Sequence, residues 1–457
     1  MSASPIHATV LSFEDARRMV EEQAAAVRPM ETESVDLLSA AGRVLAEPVF
    51  ADRDIPPFPR SARDGYAVRS SDLAQLPAVL DVIGEIKAGE KPGATPAHIG
   101  LGQAVSIMTG AAVPAGADAV VMVEHTTQRG QQVEIRNSVL GGENIVPRGA
   151  EARQGSLLLN CGLRLNDAAI ALAASVGKSK LDVHRTPRIA VLATGDEIVD
   201  VNASPGPTQI RNSNSYSLAV QIRGAGGEPV LLPIAPDDAH ALRSLIEEGL
   251  QSDLLLMTGG VSVGRYDLVE QVLSEMGAEF FFTGVQIQPG RPVVFGRCGR
   301  NPQGLKPSLK AKALSQRSKR CATQNRILQQ SAKPAPFAKR VAKTGSTYFF
   351  GLPGNPVSTM VTFELFARPI LEALAGQSPR KLVFPQARLK SEIRKKTGLK
   401  RFLPALLSGE LENSEVELVA WQGSGDIAAT ARANCYVVVP PDRERIAAGE
   451  WVAVMMR

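Results

Sequence analysis

A chain of 457 residues, 44% of them hydrophobic, with 51 basic against 46 acidic side chains, is long enough for several domains, each with its own core. No apolar run approaches the roughly 20 residues that span a bilayer. Met1-Ser2-Ala3-Ser4-Pro5 lacks the basic-then-apolar order of a signal peptide, so a cytoplasmic protein with no membrane partner is expected. Four scattered cysteines, Cys161, Cys298, Cys321 and Cys435, have no metal-type spacing and outline no disulfide framework. The net charge of +5 is local. Between Gly299 and Ser346 stand twelve basic residues and no acidic one, and without them 39 basic face 46 acidic side chains, a net −7. The folded body is therefore not a nucleic-acid binder by charge.

In chain order, residues 11–27 read as a helix, with Ser12 as cap and Phe13, Ala16, Met19 and Val20 on one face. A second short helix is expected over 34–44, then a proline-rich crossing segment over 48–59. Short strands at 79–86, 104–108, 119–123 and 133–136, separated by glycines, suggest a β-rich module. Helix-like sequence returns over 144–183, with Asn166 as cap and Gly177 as stop. These patterns divide the front of the chain into a discontinuous helical domain (1–50 and 146–186) and an inserted β-rich domain (51–145).

From Arg188 the pattern alternates. Strands at 189–193, 229–233, 254–257 and 279–283 enclose helices at 214–224, 238–249 and 267–276, which predicts an α/β domain over 187–378 with a doubly wound, mostly parallel sheet. Ligands bind such sheets beyond the carboxyl ends of the strands. Glu197, Asp237 and Asp267 all fall there, a donor set suited to a hard cation such as Mg²⁺ beside an oxyanion. Asp237 or Asp238 also reads as a helix cap. The run Thr258-Gly259-Gly260-Val261-Ser262-Val263-Gly264 brings backbone N–H groups close to a ligand. Gln288-Pro289-Gly290-Arg291-Pro292 offers a guanidinium for a phosphate. Leu352-Pro353-Gly354-Asn355-Pro356-Val357-Ser358 opens a helix whose first N–H groups suit an anion. The basic stretch 299–346 has few large apolar residues and reads as a disordered insertion. Strand-like runs at 416–421, 436–440 and 451–455 around Gly423-Ser424-Gly425-Asp426 predict a small β barrel or sandwich over 379–457.

Taken together, Ser61-Ala62-Arg63-Asp64-Gly65-Tyr66-Ala67-Val68, Met108-Thr109-Gly110-Ala111, Thr194-Gly195-Asp196-Glu197, the Thr258–Gly264 run, Pro289-Gly290-Arg291-Pro292 and the Leu352–Ser358 run resemble the molybdopterin molybdotransferases (MoeA and the E domain of gephyrin) over nearly the whole chain. The resemblance implies a multidomain homodimer with a cleft between the α/β domain of one subunit and the inserted module of the other. It implies insertion of molybdate into adenylylated molybdopterin with Mg²⁺ and release of AMP, and transient contact with the molybdopterin adenylyltransferase. Carried over by position, the catalytic set is Asp64, Thr109, Glu197, Asp237 and Asp267, the last three also holding the metal. Substrate contacts fall on Gly259, Gly260, Ser262, Gly264, Pro289, Arg291, Pro353, Asn355, Ser358 and Ser424. The chain departs from the family at Arg63, where methionine is usual, at Glu151 for an aspartate, and at Gln288 and Arg291 for lysines. Arg401 stands three residues from where an arginine is expected. An adenylyltransferase, a pterin-binding scaffold and a nucleic-acid arm at 299–346 are the competing readings.

Overall fold

The computed structural model describes residues 9–90, 98–259, 268–299 and 345–457. At its centre is a six-stranded sheet in the order Glu228–Leu231, Arg188–Ala193, Leu254–Thr258, Ser346–Leu352, Val294–Gly299, Glu279–Phe282. The first four neighbours pair in parallel, and Val294–Gly299 runs antiparallel to both of its neighbours. Period-2 alternation sends the side chains of each strand to opposite faces. Ile189, Val191, Leu254, Leu256 and Phe350 join one core with helices Asn214–Ala225, Pro356–Thr362 and Arg368–Leu374. Ala190, Leu192, Leu255, Met257 and Phe349 join a second with helices Ala239–Gly249 and Leu268–Glu275. Leu254–Thr258 is buried along its whole length. The basic stretch links two adjacent antiparallel strands, Gly299 pairing with Ser346. Its expected disorder concerns residues 300–344, which lie outside the described residues.

The segment after Leu352 is one long helical rod with a π turn at Phe363–Ala367 between its two α segments. The buried Arg17 guanidinium donates to the Leu365 carbonyl, within the turn where the α ladder is interrupted. This ties helix Phe13–Ala26 to the rod, and Ala16, Val20 and Ala24 lie in the central core. The first helix therefore packs with the α/β core, although its sequence position suggested the helical domain. Ser12 caps it as expected, accepting from the Asp15 N–H.

Helix expected over 34–44 is replaced by strand Thr32–Asp36, paired with Lys180–His184, and a single turn Leu37–Ala40. Alternation in Thr32-Glu33-Ser34-Val35-Asp36 sends only Val35 toward the core, which helical spacing would not do. Helix Asp167–Ser175 does form, with Asn166 accepting from the Ala169 N–H and Gly177 (φ 75°) ending it.

The inserted segment folds as a second six-stranded sheet, ordered Ala119–Met122, Gly65–Val68, Gln103–Ile107, Ala78–Ile86, Gln132–Ile135, Thr126–Arg129. The end of the chain closes a five-stranded barrel. Lys400–Ser408, Glu415–Leu418, Gln386–Leu389, Trp451–Met456 and Cys435–Val439 pair in a ring that returns to Lys400–Ser408. Cys298 and Cys435 are buried free thiols. Among the described residues no helix is long and apolar enough to cross a membrane.

Tyr436, 2% exposed, puts its hydroxyl in the core with no hydrogen-bond partner among the described residues, and burial pushes its pKa up to about 12. An orphaned buried hydroxyl costs about 1–3 kcal/mol. Tyr436→Phe should therefore raise the unfolding free energy by about 1 kcal/mol in urea titration. A loss of stability would mean that the hydroxyl is satisfied.

Candidate active site

Four loops converge at the carboxyl edge of the central sheet. Strand Arg188–Ala193 runs into Thr194–Glu197, where the Thr194 N–H donates to Thr258 O (3.0 Å) and the Gly195 N–H to Ala235 O (3.1 Å). Gly195 has φ 132°, and a Cβ there would lie 2.3 Å from Glu197 Oε2. The missing side chain is what lets the Glu197 carboxylate fold back over the backbone. Asp196 reaches sideways, its Oδ1 accepting the Asp237 N–H at 3.1 Å, so one carboxylate locks together the loops that carry Glu197 and Asp237. Asp238, not Asp237, caps helix Ala239–Gly249, accepting from the N–H groups of His240 and Ala241. Asp237 and Glu197 are exposed and uncommitted to capping.

The third loop begins at Thr258-Gly259. Gly259 has φ 89°, and a Cβ would meet Thr194 O at 2.3 Å. The fourth, Pro353–Asn355, passes so close that a Cβ on Gly354 would lie 3.5 Å from the Gly259 Cα. Gly260, Ser262, Gly264 and Asp267 lie outside the described residues. Among those described, no three His, Cys, Asp or Glu side chains group around a metal position. Mg²⁺ is usually held by one or two carboxylates and substrate phosphates rather than by a full protein cage, so Glu197 and Asp237 on interlocked loops suit it.

Two further pieces border this edge. Pro289 is buried, and Gly290 (φ 107°) packs on helix Pro356–Thr362, where a Cβ would strike the Thr362 methyl at 2.4 Å. Ser358 is 3% exposed in that contact and its carbonyl accepts from the Thr362 hydroxyl. Arg291 is exposed. Gln288 Oε1 accepts from Arg401 Nε at 2.9 Å, and the 287–288 strand pairs with barrel residues 400–401. The Arg401 side chain, 7% exposed, thus fastens the Pro289–Pro292 loop to the barrel. From the barrel side Ser424 reaches the helix start. Its hydroxyl accepts from Asn355 Nδ2 (2.8 Å) and its carbonyl from the Val357 N–H (3.0 Å). That N–H, expected to be open to an anion, is occupied by protein, and the polar surface there consists of the Asn355 amide and the Ser424 hydroxyl.

Asp64 and Thr109 meet in the inserted sheet. Asp64 Oδ1 accepts both the Thr109 N–H (2.6 Å) and its hydroxyl (2.8 Å). The loops interlock through Gly110 N–H to Ser61 O and Ser61 N–H to Ala111 O, both 2.9 Å. Gly65 must lack a side chain, because a Cβ would lie 1.9 Å from Val121 O. The Thr109 backbone N–H, and after it the hydroxyl, holds the Asp64 carboxyl below its ordinary pKa. This stabilisation is present at neutral pH and lost as pH falls through the depressed value. In Thr109→Val the backbone bond remains, so Asp64 should titrate higher but still below an ordinary aspartate, read by carboxyl-carbon NMR. An unmoved titration would show that the hydroxyl contributes nothing. Nearby, Arg148 pairs with Asp54 (2.7 Å) and Glu151 with Arg60 (2.9 Å), so Glu151, the departure in this stretch, serves an exposed ion pair. The hydrogen bonds of Asp64 and Thr109 stay within this module; none reaches the central crevice among the described residues.

Sequence-family profiles match the chain in three blocks: the MoeA N-terminal region (domain I and II) over residues 11–177, a probable molybdopterin binding domain over 190–373, and the MoeA C-terminal region (domain IV) over 386–456. A molybdopterin molybdenumtransferase from Nostoc sp. is 32% identical over 93% of this chain and 88% of its own length. The chain belongs to the MoeA family. Another molybdopterin molybdenumtransferase, from Bacillus subtilis, is 30% identical over 93% of this chain and 90% of its own. Two crystal structures described as molybdopterin biosynthesis MoeA protein from Pyrococcus horikoshii superpose with TM-scores of 0.65 and 0.70, at 29% and 25% identity. They cover 98% of this chain and 99% and 100% of theirs. Sequence reasoning passed over Asp196, whose carboxylate joins two of these loops, although it stands inside a quoted motif.

Proposed function

We propose that this MoeA-family chain is a molybdopterin molybdotransferase, inserting molybdate into adenylylated molybdopterin and releasing AMP. The observation that carries it is the meeting, at one sheet edge, of the Glu197 and Asp237 carboxylates with the Asn355–Ser424 polar pair and the Arg291 loop. The chemistry needs both kinds of group. Two Mo–S bonds form as one oxo oxygen of molybdate departs with the two thiol protons as water. Cleavage of the phosphoanhydride takes up one water, its oxygen ending on phosphorus and the anhydride P–O bond breaking. The two steps balance.

Glu197 and Asp237, with Asp267, hold Mg²⁺ in this reading. When bound, Mg²⁺ withdraws charge from the anhydride oxygens. Asn355 and Ser424 present donors to the oxyanion, and Arg291 offers a fork to the substrate's phosphate. Asp64, ionised and aimed by Thr109, enters from the second subunit of a homodimer, which explains why its bonds stay within its own module. The substrate arrives from an adenylyltransferase in the cytoplasm. Incubation with adenylylated molybdopterin, molybdate and Mg²⁺ should yield a cofactor that activates an apo-molybdoenzyme. Failure to activate it, with the substrate intact, would overturn the reading.

A further inference from the structure

Asn214 opens helix Asn214–Ala225 but does not cap it; Ser213 holds that position. Its side chain turns to the crevice, where Nδ2 donates to Thr258 Oγ1 (2.9 Å) and to Gly354 O (2.7 Å). A carbonyl only accepts, so the nitrogen must face Gly354 and the amide orientation is fixed. The Thr258 hydroxyl in turn donates to Pro353 O at 3.3 Å. One amide thus joins the end of the central strand to a loop that lies 140 residues beyond Asn214 in the chain. It does so where Gly259 and Gly354 pack backbone to backbone, with no side chain between them to set the spacing.

The cost of this arrangement is visible. Among the described residues Asn214 Oδ1 is buried with no partner, and so is Thr194 Oγ1 on the neighbouring strand end. Orphans of this kind are rare in native folds, and each calls for an explanation. A serine or an apolar residue at 214 would avoid the first of them, but neither could bond two acceptors at once.

We propose that Asn214 is a positioning residue for the transfer reaction: its amide holds Thr258-Gly259 against Pro353–Asn355, and so keeps Asn355 beside Ser424. The inference rests on the function proposed above. Asn214 touches no reacting atom and acts through the loop it holds, so its loss falls on kcat rather than KM.

The test compares Asn214→Ala and Asn214→Asp in the full-length protein, measuring AMP release from adenylylated molybdopterin with molybdate and Mg²⁺. Asn214→Ala should lower kcat by about 100-fold, the scale of a 1 Å misplacement, with KM little changed. In Asn214→Asp the ionised carboxylate has no proton for Gly354 O, whereas the protonated acid donates to it. Facing that carbonyl, the new carboxyl titrates above the ordinary range. Its kcat should therefore climb toward the wild-type value as pH is lowered from about 8 to about 5.5, a limb that wild type and Asn214→Ala lack. A merely structural role would give no such limb. Wild-type kcat in Asn214→Ala, or a pH-independent defect in Asn214→Asp, overturns the positioning role alone. A wild-type protein that releases no AMP overturns the function and this inference together.

Discussion

Asp64→Ala is expected to lower molybdate-dependent AMP release by about 1000-fold, the range seen when one placed catalytic group is removed. The fold should survive, because Asp64 is exposed and its loop is held by the Ser61–Ala111 and Gly110–Ser61 bonds. The decisive form of the experiment mixes this variant with Asp237→Ala. If the cleft is shared between subunits, a random one-to-one mixture has half its dimers mixed, and each mixed dimer keeps one intact site of two. About a quarter of the wild-type rate should then return, although both parents are inactive. No recovery would place Asp64 with the crevice of its own chain.

The second large effect is expected at Gly195. An alanine Cβ would sit 2.3 Å from Glu197 Oε2, and that oxygen ends an exposed, flexible side chain that can swing away. Packing is therefore hardly disturbed, and the left-handed φ of 132° adds about 1–2 kcal/mol. Activity should fall by about 100-fold, with more Mg²⁺ needed for half-maximal rate. Gly177→Ala is the control. It carries a positive φ of 75° with nothing within 4 Å, so it should lose comparable stability and no activity. Equal activity in both variants would mean that the placement of Glu197 is immaterial.

What was legible in the chain was whatever repeats locally. The strands of the central sheet stand where apolar runs alternate with helical periods, and Asn166 and Gly177 mark a helix at both ends as short-range chemistry requires. Strand Thr32–Asp36 was hidden because its partner, Lys180–His184, lies far along the chain and its exposed face resembles a polar helix. Strand Lys400–Ser408 was hidden by Pro404 and by a basic start; the barrel ring supplies its partners on both sides. At the site, glycine-rich motifs exposed the loops, but their mutual fastening was invisible. Asp196 to Asp237, Asn214 to Gly354, Asn355 to Ser424 and Arg401 to Gln288 each bridge at least 41 residues. The choice between Asp237 and Asp238 as cap likewise needed coordinates, since either side chain can accept the same N–H groups.

The measurement that bears most directly on the central claim is AMP release from adenylylated molybdopterin by the wild-type protein, with molybdate and Mg²⁺ added or withheld in turn. The account predicts release only when both are present, abolished in Glu197→Gln and Asp237→Asn. Release without molybdate, or formation of adenylylated molybdopterin from ATP in its place, would contradict it.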